Sequence, residues 1–461
     1  MSGISALNIA KDSLLSHQTA INITGSNIAN VNTTGYTRQR PVFTTTGTMD
    51  VEAGLVQLSV GIDQIERIYD RFLEAEINEQ IQDLGYSETR KEQLEVVEII
   101  FNETTGEGID DLLNEFWGAW EDLSANPAGQ AEREAVLSTA ESLTYLFRSY
   151  SSDLVSLQGD VDDSIVNLVS QVNSKLASIA DLNEKISQSD TGTGDTNTLR
   201  DERTVLVKEL AEIVDIQYYE DSLGALNIFI SNGLTLVESG NCYNLDVEVN
   251  SGNSFYHDIV FADNPGESIN SFITSGKLAG LIEIRDTTAA GYLDDLDTLA
   301  AALVQEVNAQ HQSGYDLSGN VAGSFFDPTK TTARTIDVSA DIIADVNKIA
   351  ASETVNSDGN NALYLGRLKD SLVLNGGTST FNGYYSSFIG QIGEDTESAV
   401  RTCDHHTDLM DQLTNRRESI SGVSIDEEML NLIKYQMGYS AAAKLCTTVQ
   451  GLVETLLELV R

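Results

Sequence analysis

The chain has 461 residues and a formal net charge of −44 at pH 7, from 71 acidic side chains against 27 Lys and Arg. This length allows two to four domains with buried cores. The acidity argues against nucleic acid or an anionic membrane as a partner, since both need a basic surface. Cys242, Cys403 and Cys446 are too few and too far apart for a disulfide framework or a zinc ribbon. No run of eighteen apolar residues occurs, so no membrane-spanning helix is predicted.

The first thirty residues show the apolar pattern of a coiled-coil helix. Leucine or isoleucine recurs every seven residues in one column, with a further isoleucine beside it. We call this column the N-terminal seam, and it consists of Ile4, Leu7, Leu14, Ile21 and Ile28. A period of seven is typical of the contact between two coiled helices. We therefore expect an N-terminal helix that packs against a partner helix.

A decapeptide, Asn-Ile-Ala-Asn-Val-Asn-Thr-Thr-Gly-Tyr at residues 27–36, ends this pattern. Its asparagines compete with the helix for backbone hydrogen bonds, and Gly35 tolerates a positive φ without steric cost. The decapeptide predicts the end of the helix, followed by a turn.

Helical spacing dominates the next part of the chain. After an extended stretch at Pro41 and a strand-like segment at 54–60, apolar residues three and four apart fill residues 64–101, 109–123 and 132–187. Such spacing predicts an antiparallel helical bundle. We assign to the bundle domain residues 39–214, 278–316 and 381–423.

The apolar period changes to two in residues 215–277, where short alternating runs are separated by Gly and Asn. This predicts a small all-β domain inserted into the helical body. Residues 317–380 mix a short strand, a helix and glycine-rich loops, and we interpret them as a second small insertion.

The chain closes with a second narrow apolar seam. Ser424 and Glu427 have the spacing of a capping box at a helix start. Residues then follow at alternating steps of four and three, apolar throughout except for Gln436 and Gln450. The C-terminal seam consists of Ile425, Met429, Leu432, Tyr439, Ala443, Cys446, Val453, Leu457 and Val460. We expect this helix to pair with the N-terminal one, so that residues 1–38 and 424–461 form one terminal coiled-coil assembly domain.

The order of elements defines the fold class. Terminal helix, bundle, β insertion, bundle and terminal helix nest each domain inside the one before it. We predict a mainly α protein with a β insertion, in a nested multidomain arrangement along a single axis.

No catalytic or ligand-binding pattern is found in the sequence. It lacks a Walker A loop, a Gly-x-Ser-x-Gly elbow and a His-Glu-x-x-His pair. Cys403, His405 and His406 are the best metal candidate, but they lack the second cluster that a tetrahedral site needs. We expect no enzymatic activity, no cofactor and no metal.

Motifs at both ends resemble a known family. The spelling Ala-Asn-x-Asn-Thr-x-Gly-Tyr at 29–36 is similar to that of the bacterial flagellar axial proteins, the rod, hook and hook-associated families. Residues 421–428, Ser-Gly-Val-Ser-Ile-Asp-Glu-Glu, with Leu-Ile-Lys-Tyr-Gln at 432–436, resemble the FlgK family of first hook-associated proteins. Segments in the helical blocks, such as Arg-Glu-Ala-Val-Leu at 133–137, resemble the same family.

The resemblance implies a structural role at the junction between hook and filament, by helical self-assembly of the terminal helices. It makes the decapeptide an assembly motif, with residues Asn27, Ala29, Asn30, Asn32, Thr33, Gly35 and Tyr36. Implied partners are further copies in a helical ring, the hook protein, the next junction protein and an export chaperone on the C-terminal helix. The implied location is the extracellular flagellum, reached through the flagellum's own export channel without a cleaved signal peptide.

Two alternatives remain open at this point. A rod or hook subunit shares the decapeptide, although the long bundle favours the hook-associated family. A filament-borne hydrolase seated in one of the two insertions belongs to another class of protein, and no convergent set of residues supports it.

Overall fold

The computed structural model describes residues 3–51, 54–102, 108–189, 194–230, 233–355 and 358–459. This part of the chain is mainly helical, with three small antiparallel sheets. The predicted fold class, mainly α with a β insertion, is confirmed.

The helices follow one another in the nested order that the sequence predicts. They are α1 (Gly3–Ala29), α2 (Arg71–Ile100), α3 (Ile109–Ala125), α4 (Gln130–Ser189), α5 (Gly194–Ile213), α6 (Gly276–Glu283), α7 (Ala289–His311), α8 (Ala340–Ala344), α9 (Asn360–Arg367), α10 (Phe381–Ser421) and α11 (Ile425–Leu459). A π-helical turn, Ile284–Thr288, joins α6 to α7. Within the described ranges, no helix is both long and apolar enough to cross a membrane.

The strands form a long hairpin, a four-stranded sheet in sequential order and a second, shorter hairpin. Their bounds are β1 (Gln39–Val51), β2 (Gly54–Arg67), β3 (Ile216–Glu220), β4 (Leu226–Ile230), β5 (Thr235–Glu238), β6 (Asn241–Cys242), β7 (Leu245–Val249) and β8 (His257–Phe261). All neighbouring strands pair antiparallel.

The long hairpin differs from the sequence prediction. We predicted helical structure from residue 64, but β2 continues to Arg67, and α2 begins at Arg71. Asp70 is the N-cap of α2, and its side chain accepts hydrogen bonds from the amides of Phe72 and Leu73. The hairpin also packs on α1 as well as on itself. Ser16 on α1 donates to the Val60 carbonyl at 3.0 Å.

The bundle core is built from large apolar side chains. α3 presents Phe116, Trp117 and Trp120 on one face, and all three are at most 1% exposed. Phe325, from the segment after α7, packs on the Trp120 ring at a centroid distance of 5.2 Å. The predicted second insertion therefore supplies side chains to the same core as the bundle helices.

The 60-residue helix α4 is about 90 Å long and connects the bundle to the sheets. Two of its asparagines hold the strands. The Asn183 amide donates to the Leu226 carbonyl at 2.8 Å, and Asn173 donates to the Leu245 carbonyl at 2.7 Å. The strands and the bundle helices contribute to one continuous hydrophobic cluster.

Tyrosine hydroxyls link α7 to α10. Tyr292 donates to Asp395 at 2.8 Å, and Tyr384 donates to Asp295 at 2.6 Å. Burial raises the pKa of Tyr292, and its hydrogen bond to Asp395 acts in the same direction. These hydroxyls therefore remain protonated donors at ordinary pH.

Buried basic side chains fix the segment after α7. His311 bonds to the Gly323 carbonyl through Nδ1 at 2.8 Å and accepts from the Ala350 amide through Nε2 at 2.8 Å. These bonds require the neutral ring with the proton on Nδ1. Burial lowers the pKa of His311 to about 4. Arg133, 1% exposed, donates to the Ile349 and Pro127 carbonyls, each at 2.6 Å.

Candidate assembly interface

The two terminal helices pack along one another, which confirms the predicted pairing of α1 with α11. The rings of His17, Phe43 and Tyr435 form a triangle, with centroid distances of 6.0 Å from His17 to Phe43, 6.4 Å from His17 to Tyr435 and 5.8 Å from Phe43 to Tyr435. Burial lowers the pKa of His17 and so favours the neutral ring. The helix pair and the long hairpin therefore meet at a single cluster.

The decapeptide ends α1 as predicted. α1 stops at Ala29, and the Asn30 side-chain amide donates back to the Ser26 carbonyl at 3.0 Å. Gly35 has φ of 80° and lies against α5, where an added β-carbon would overlap the Val205 side chain. Only glycine satisfies both the backbone conformation and this close approach.

Asn27 is the centre of a buried polar network, with 1% of its surface exposed. Its Nδ2 donates to the Gln39 carbonyl at 2.8 Å and to the Glu428 carboxylate at 3.0 Å. Its Oδ1 accepts from the Gln39 amide at 3.0 Å and from the Tyr36 hydroxyl at 2.8 Å. Four hydrogen bonds therefore join the end of α1 to the decapeptide, to β1 and to α11.

The Glu428 carboxylate carries a buried negative charge at the start of α11, 2% exposed. Arg38 neutralises it, with Nε and a terminal nitrogen each 2.8 Å from Oε1. The other terminal nitrogen of Arg38 binds the exposed Glu427 at 2.8 Å. A buried carboxylate is stable only when it is paired and hydrogen-bonded, and Asn27 and Arg38 meet both conditions.

A second buried carboxylate ties the same segment to the bundle. Asp201 on α5 accepts from the Thr37 amide at 3.2 Å and from the Thr37 hydroxyl at 2.6 Å. Arg67, at the end of β2, binds the same carboxylate at 2.7 Å. Burial raises the pKa of Asp201, while Arg67 and Thr37 act in the opposite direction.

Other members of the decapeptide do not enter this network. Ala29, Asn32 and Thr33 are exposed. Thr33 donates its hydroxyl to the Asn30 side chain at 3.2 Å and its amide to the Asn30 carbonyl at 2.9 Å, both within the turn. Within the predicted assembly motif, Asn27, Gly35 and Tyr36 thus make the long-range contacts in the free chain.

The N-terminal seam is not the buried face of α1. Leu7 is 38% exposed, and Leu14, Ile21 and Ile28 are half-buried, while the side chain of Ile4 lies outside the described residues. A straight helix drifts by about 20° per heptad from a strict seven-residue column. The hairpin also covers one flank of α1. The buried residues are Ala10, Ser16, Ala20, Ile23, Thr24 and Asn27.

The C-terminal seam is likewise only partly buried. Leu432, Ala443 and Cys446 are half-buried, and the side chains of Leu457 and Val460 lie outside the described residues. The exposed members are Ile425, Met429, Tyr439 and Val453. Among the described side chains of α11, those that are buried are Glu428, Ala442 and Val449.

Large apolar side chains occupy a further exposed face of α11, which we call the outer face. Leu430 is 68% exposed, Ile433 50% and Met437 69%. The sequence pattern did not single out these three residues. A contiguous apolar patch on a monomer commonly marks an interaction surface.

Of the two hydrogen bonds that the predicted capping box requires, the one from the Glu427 amide is present, and the prediction of the one to the Glu427 carboxylate is wrong. The Glu427 amide lies 3.5 Å from the Ser424 hydroxyl, at the outer limit of a hydrogen bond. The Glu427 carboxylate, however, binds Arg38 instead of the Ser424 amide. The ion pair with a guanidinium is the stronger bond available to that carboxylate.

Five residues of this network were not predicted from the sequence: Arg38, Thr37, Arg67, Asp201 and Glu428. Arg38 lies two residues after the decapeptide, and Glu428 is the last residue of the motif at 421–428. Arg38 and Glu428 are 390 positions apart in the sequence, and no local sequence pattern predicts a contact over that distance.

Both terminal helices match family models of flagellar rod proteins, which puts the chain in the class of flagellar axial proteins. The model "Flagella basal body rod protein" matches residues 5–37. The model "Flagellar basal body rod FlgEFG protein C-terminal" matches residues 417–459. The model "Flagellar hook-associated protein FlgK helical domain" matches residues 94–326, about half of the chain. The chain belongs to the FlgK family of flagellar hook-associated proteins.

Relatives agree with this family, and a solved structure shows a similar fold. Flagellar hook-associated protein 1 of Bacillus subtilis is 29% identical over 490 positions, covering 97% of this chain and 96% of the relative. The protein of the same name from Salmonella typhimurium is 26% identical over 554 positions, covering 99% and 100%. The flagellar hook junction protein FlgK from Burkholderia pseudomallei has a similar fold, with a TM-score of 0.68, 17% identity, and coverage of 75% and 100%.

Proposed function

We propose that this chain is a structural subunit of the junction between flagellar hook and filament, built by helical self-assembly through its terminal helices. The single observation that carries the proposal is the outer face of α11. Leu430, Ile433 and Met437 are half or more exposed on a helix whose opposite side is already packed on α1. Burying such side chains against neighbouring subunits gives roughly 1.5–3 kcal/mol for each one.

The rod or hook alternative is not favoured, because the family model that matches the bundle is that of FlgK. We also propose that the role is structural and not catalytic. The relatives are named as hook-associated proteins. No group of three or more His, Cys, Asp or Glu able to hold a metal is found within the described ranges.

We propose four kinds of partner: further copies in a ring, the hook protein, the next junction protein and an export chaperone on α11. The chaperone proposal rests on the same exposed face, because Leu430 and Met437 need cover before assembly. We further propose export without loss of an N-terminal segment. Cleavage at residue 20 or later would remove Ala10, which is buried, and His17, which contacts α11 and the hairpin.

The proposed domain division keeps the predicted boundaries, with a terminal domain at 1–38 and 424–461 and a bundle at 39–214, 278–316 and 381–423. The inserted β region spans 215–277, and the second small insertion spans 317–380. Support comes from the packing of α1 on α11 and from the run of strands between 216 and 261.

The test is addition of the purified chain to isolated hook ends, followed by filament growth. Met437→Asp should leave the free chain folded, because the side chain is 69% exposed. In a packed assembly the same carboxylate would be unpaired and buried, so the variant should fail to add. Thr402→Asp, at an exposed position on α10, adds the same charge outside the terminal pair and should add normally.

Normal addition and filament growth with Met437→Asp would show that the outer face of α11 is not an assembly surface. Failure of the parent chain itself to add to hook ends would remove the proposed function.

A further inference from the structure

Two buried carboxylates, 227 positions apart in sequence, bind side chains of consecutive residues. Arg38 binds Glu428 on α11, and its neighbour Thr37 binds Asp201 on α5. Tyr36, one residue earlier, donates its hydroxyl to Asn27 on α1. Three successive residues thus hold three different helices.

The backbone makes these three attachments depend on one another. Consecutive residues share a planar peptide bond, so their backbones move together. A backbone change that carries Arg38 away from Glu428 would therefore also move Thr37, whose amide and hydroxyl both bind Asp201. Gly35, packed on Val205, allows no alternative path beside α5.

Loss of Glu428 from its site would leave the network incomplete. Asn27 would keep its bonds to Gln39 and Tyr36 but lose an acceptor at 3.0 Å. Arg38, whose side chain is 16% exposed, would lose its buried counter-ion. An unpaired buried polar group is costly. The network therefore has two states, one with Glu428 bound to Asn27 and Arg38 and one with Glu428 away from them, and few intermediates between them.

We propose that residues 27–38, which we call the coupling joint, link the contact with α11 to the contact with the bundle. Docking of α11 through Glu428 orders this segment. The ordered segment, through Thr37 and Asp201, then fixes the terminal helix pair against the bundle. The inference goes beyond the proposed function, since it concerns the free chain and needs no assembly. It assigns Glu428 and Asp201 as positioning residues that act on one another across the joint.

The test is hydrogen exchange of backbone amides in the free, full-length chain. Glu428→Gln keeps the shape of the side chain and removes its charge. The Thr37 amide, which bonds only to Asp201 and not to α11, should then exchange about 5- to 150-fold faster, the usual range for coupled sites. Glu427→Gln is the matched control, because Glu427 binds the same Arg38 but its side chain is 61% exposed. It should change exchange at Thr37 less than twofold.

The reciprocal experiment starts from the other side. Thr37→Val removes the hydroxyl bond to Asp201 and the weaker one that this hydroxyl accepts from Arg67, and it removes no bond to α11. Coupling between two sites is symmetric, so the Glu428 amide, bonded to the Ser424 carbonyl, should exchange faster by a similar factor. Amides of α3 and α4 should keep their protection in both variants, which shows that the bundle is folded.

Faster exchange at Thr37 in Glu428→Gln, with no response of the Glu428 amide in Thr37→Val, would overturn the proposal. So would unchanged exchange at Thr37 in Glu428→Gln. Equal effects of Glu428→Gln and Glu427→Gln would also overturn it, because the change in exchange would then follow from Arg38 losing any one of its partners and not from docking of α11 through Glu428.

Discussion

The helical bundle and the terminal helix pair bury different kinds of side chain. The bundle buries tryptophan and phenylalanine side chains in its core, with Trp117 and Trp120 at most 1% exposed. The terminal pair buries Ala10, Ala20 and Ala442 and leaves Leu430 and Met437 largely in solvent. Large buried side chains make a region stable by itself, whereas small ones allow two helices to approach closely and leave apolar area for other contacts. The difference separates a self-sufficient body from ends that still have surface to bury.

The largest expected effect tests the bundle side of this comparison. Trp120→Ala should lower the free energy of unfolding by about 3–5 kcal/mol, because it opens a cavity beside Phe116 and Phe325. Tyr145→Ala, at a side chain 66% exposed on α4, should cost less than about 0.5 kcal/mol. Urea unfolding followed by far-UV circular dichroism measures both. Similar costs for the two variants would mean that the aromatic cluster does not stabilise the bundle.

A smaller effect follows from the pH dependence of the same core. His311 has its pKa lowered to about 4 by burial, against about 6.5 in the unfolded chain. Below pH 6.5 the unfolded chain therefore binds a proton at this ring that the folded chain does not bind. The contribution of His311 to the free energy of unfolding is complete above pH 6.5 and decreases as the pH drops. The loss should approach about 3 kcal/mol near pH 4.

His311→Gln should flatten this slope between pH 6.5 and 5, where few carboxylates titrate. His405→Gln, at an exposed ring, should leave the slope unchanged. Urea midpoints at several pH values give the comparison, and an identical slope in the parent and His311→Gln would contradict the expectation.

The smallest effect tests the terminal pair. Gly438 on α11 packs against the His17 ring, and a β-carbon there would overlap it. Gly438→Ala should weaken the pair by about 1–2 kcal/mol through overpacking. Amides of α1 and α11 should then exchange faster, while those of the bundle stay protected.

Gly451→Ala on the same helix provides the control. Nothing lies within 4 Å of the added β-carbon, and alanine favours the helix by about 0.5–1 kcal/mol. Exchange in α11 should slow in this variant. If both alanines slow exchange, the close approach at His17 is not a constraint.

Sequence reasoning succeeded where the determinant is local. The end of α1, the positive φ of Gly35 and the strands between 216 and 261 all follow from residue types within a few positions. It failed where the partner is distant. The seven-residue column at Leu7 and Leu14 marks a helix with an apolar side, but the hairpin that shifts the buried face cannot be placed by periodicity. The Asn27, Glu428 and Asp201 network depends on tertiary contacts that no spacing encodes.

The tyrosine bonds between α7 and α10 have a consequence for behaviour in strong electrolyte. With 27 basic side chains against 71 acidic ones, this chain cannot give every carboxylate a cation. Tyr292 and Tyr384 supply neutral donors to Asp395 and Asp295 instead. Ions screen the attraction between opposite charges, but a hydroxyl carries no net charge to be screened. These two bonds should therefore hold in concentrated salt, where the exposed ion pair between Arg401 and Glu397 on α10 weakens.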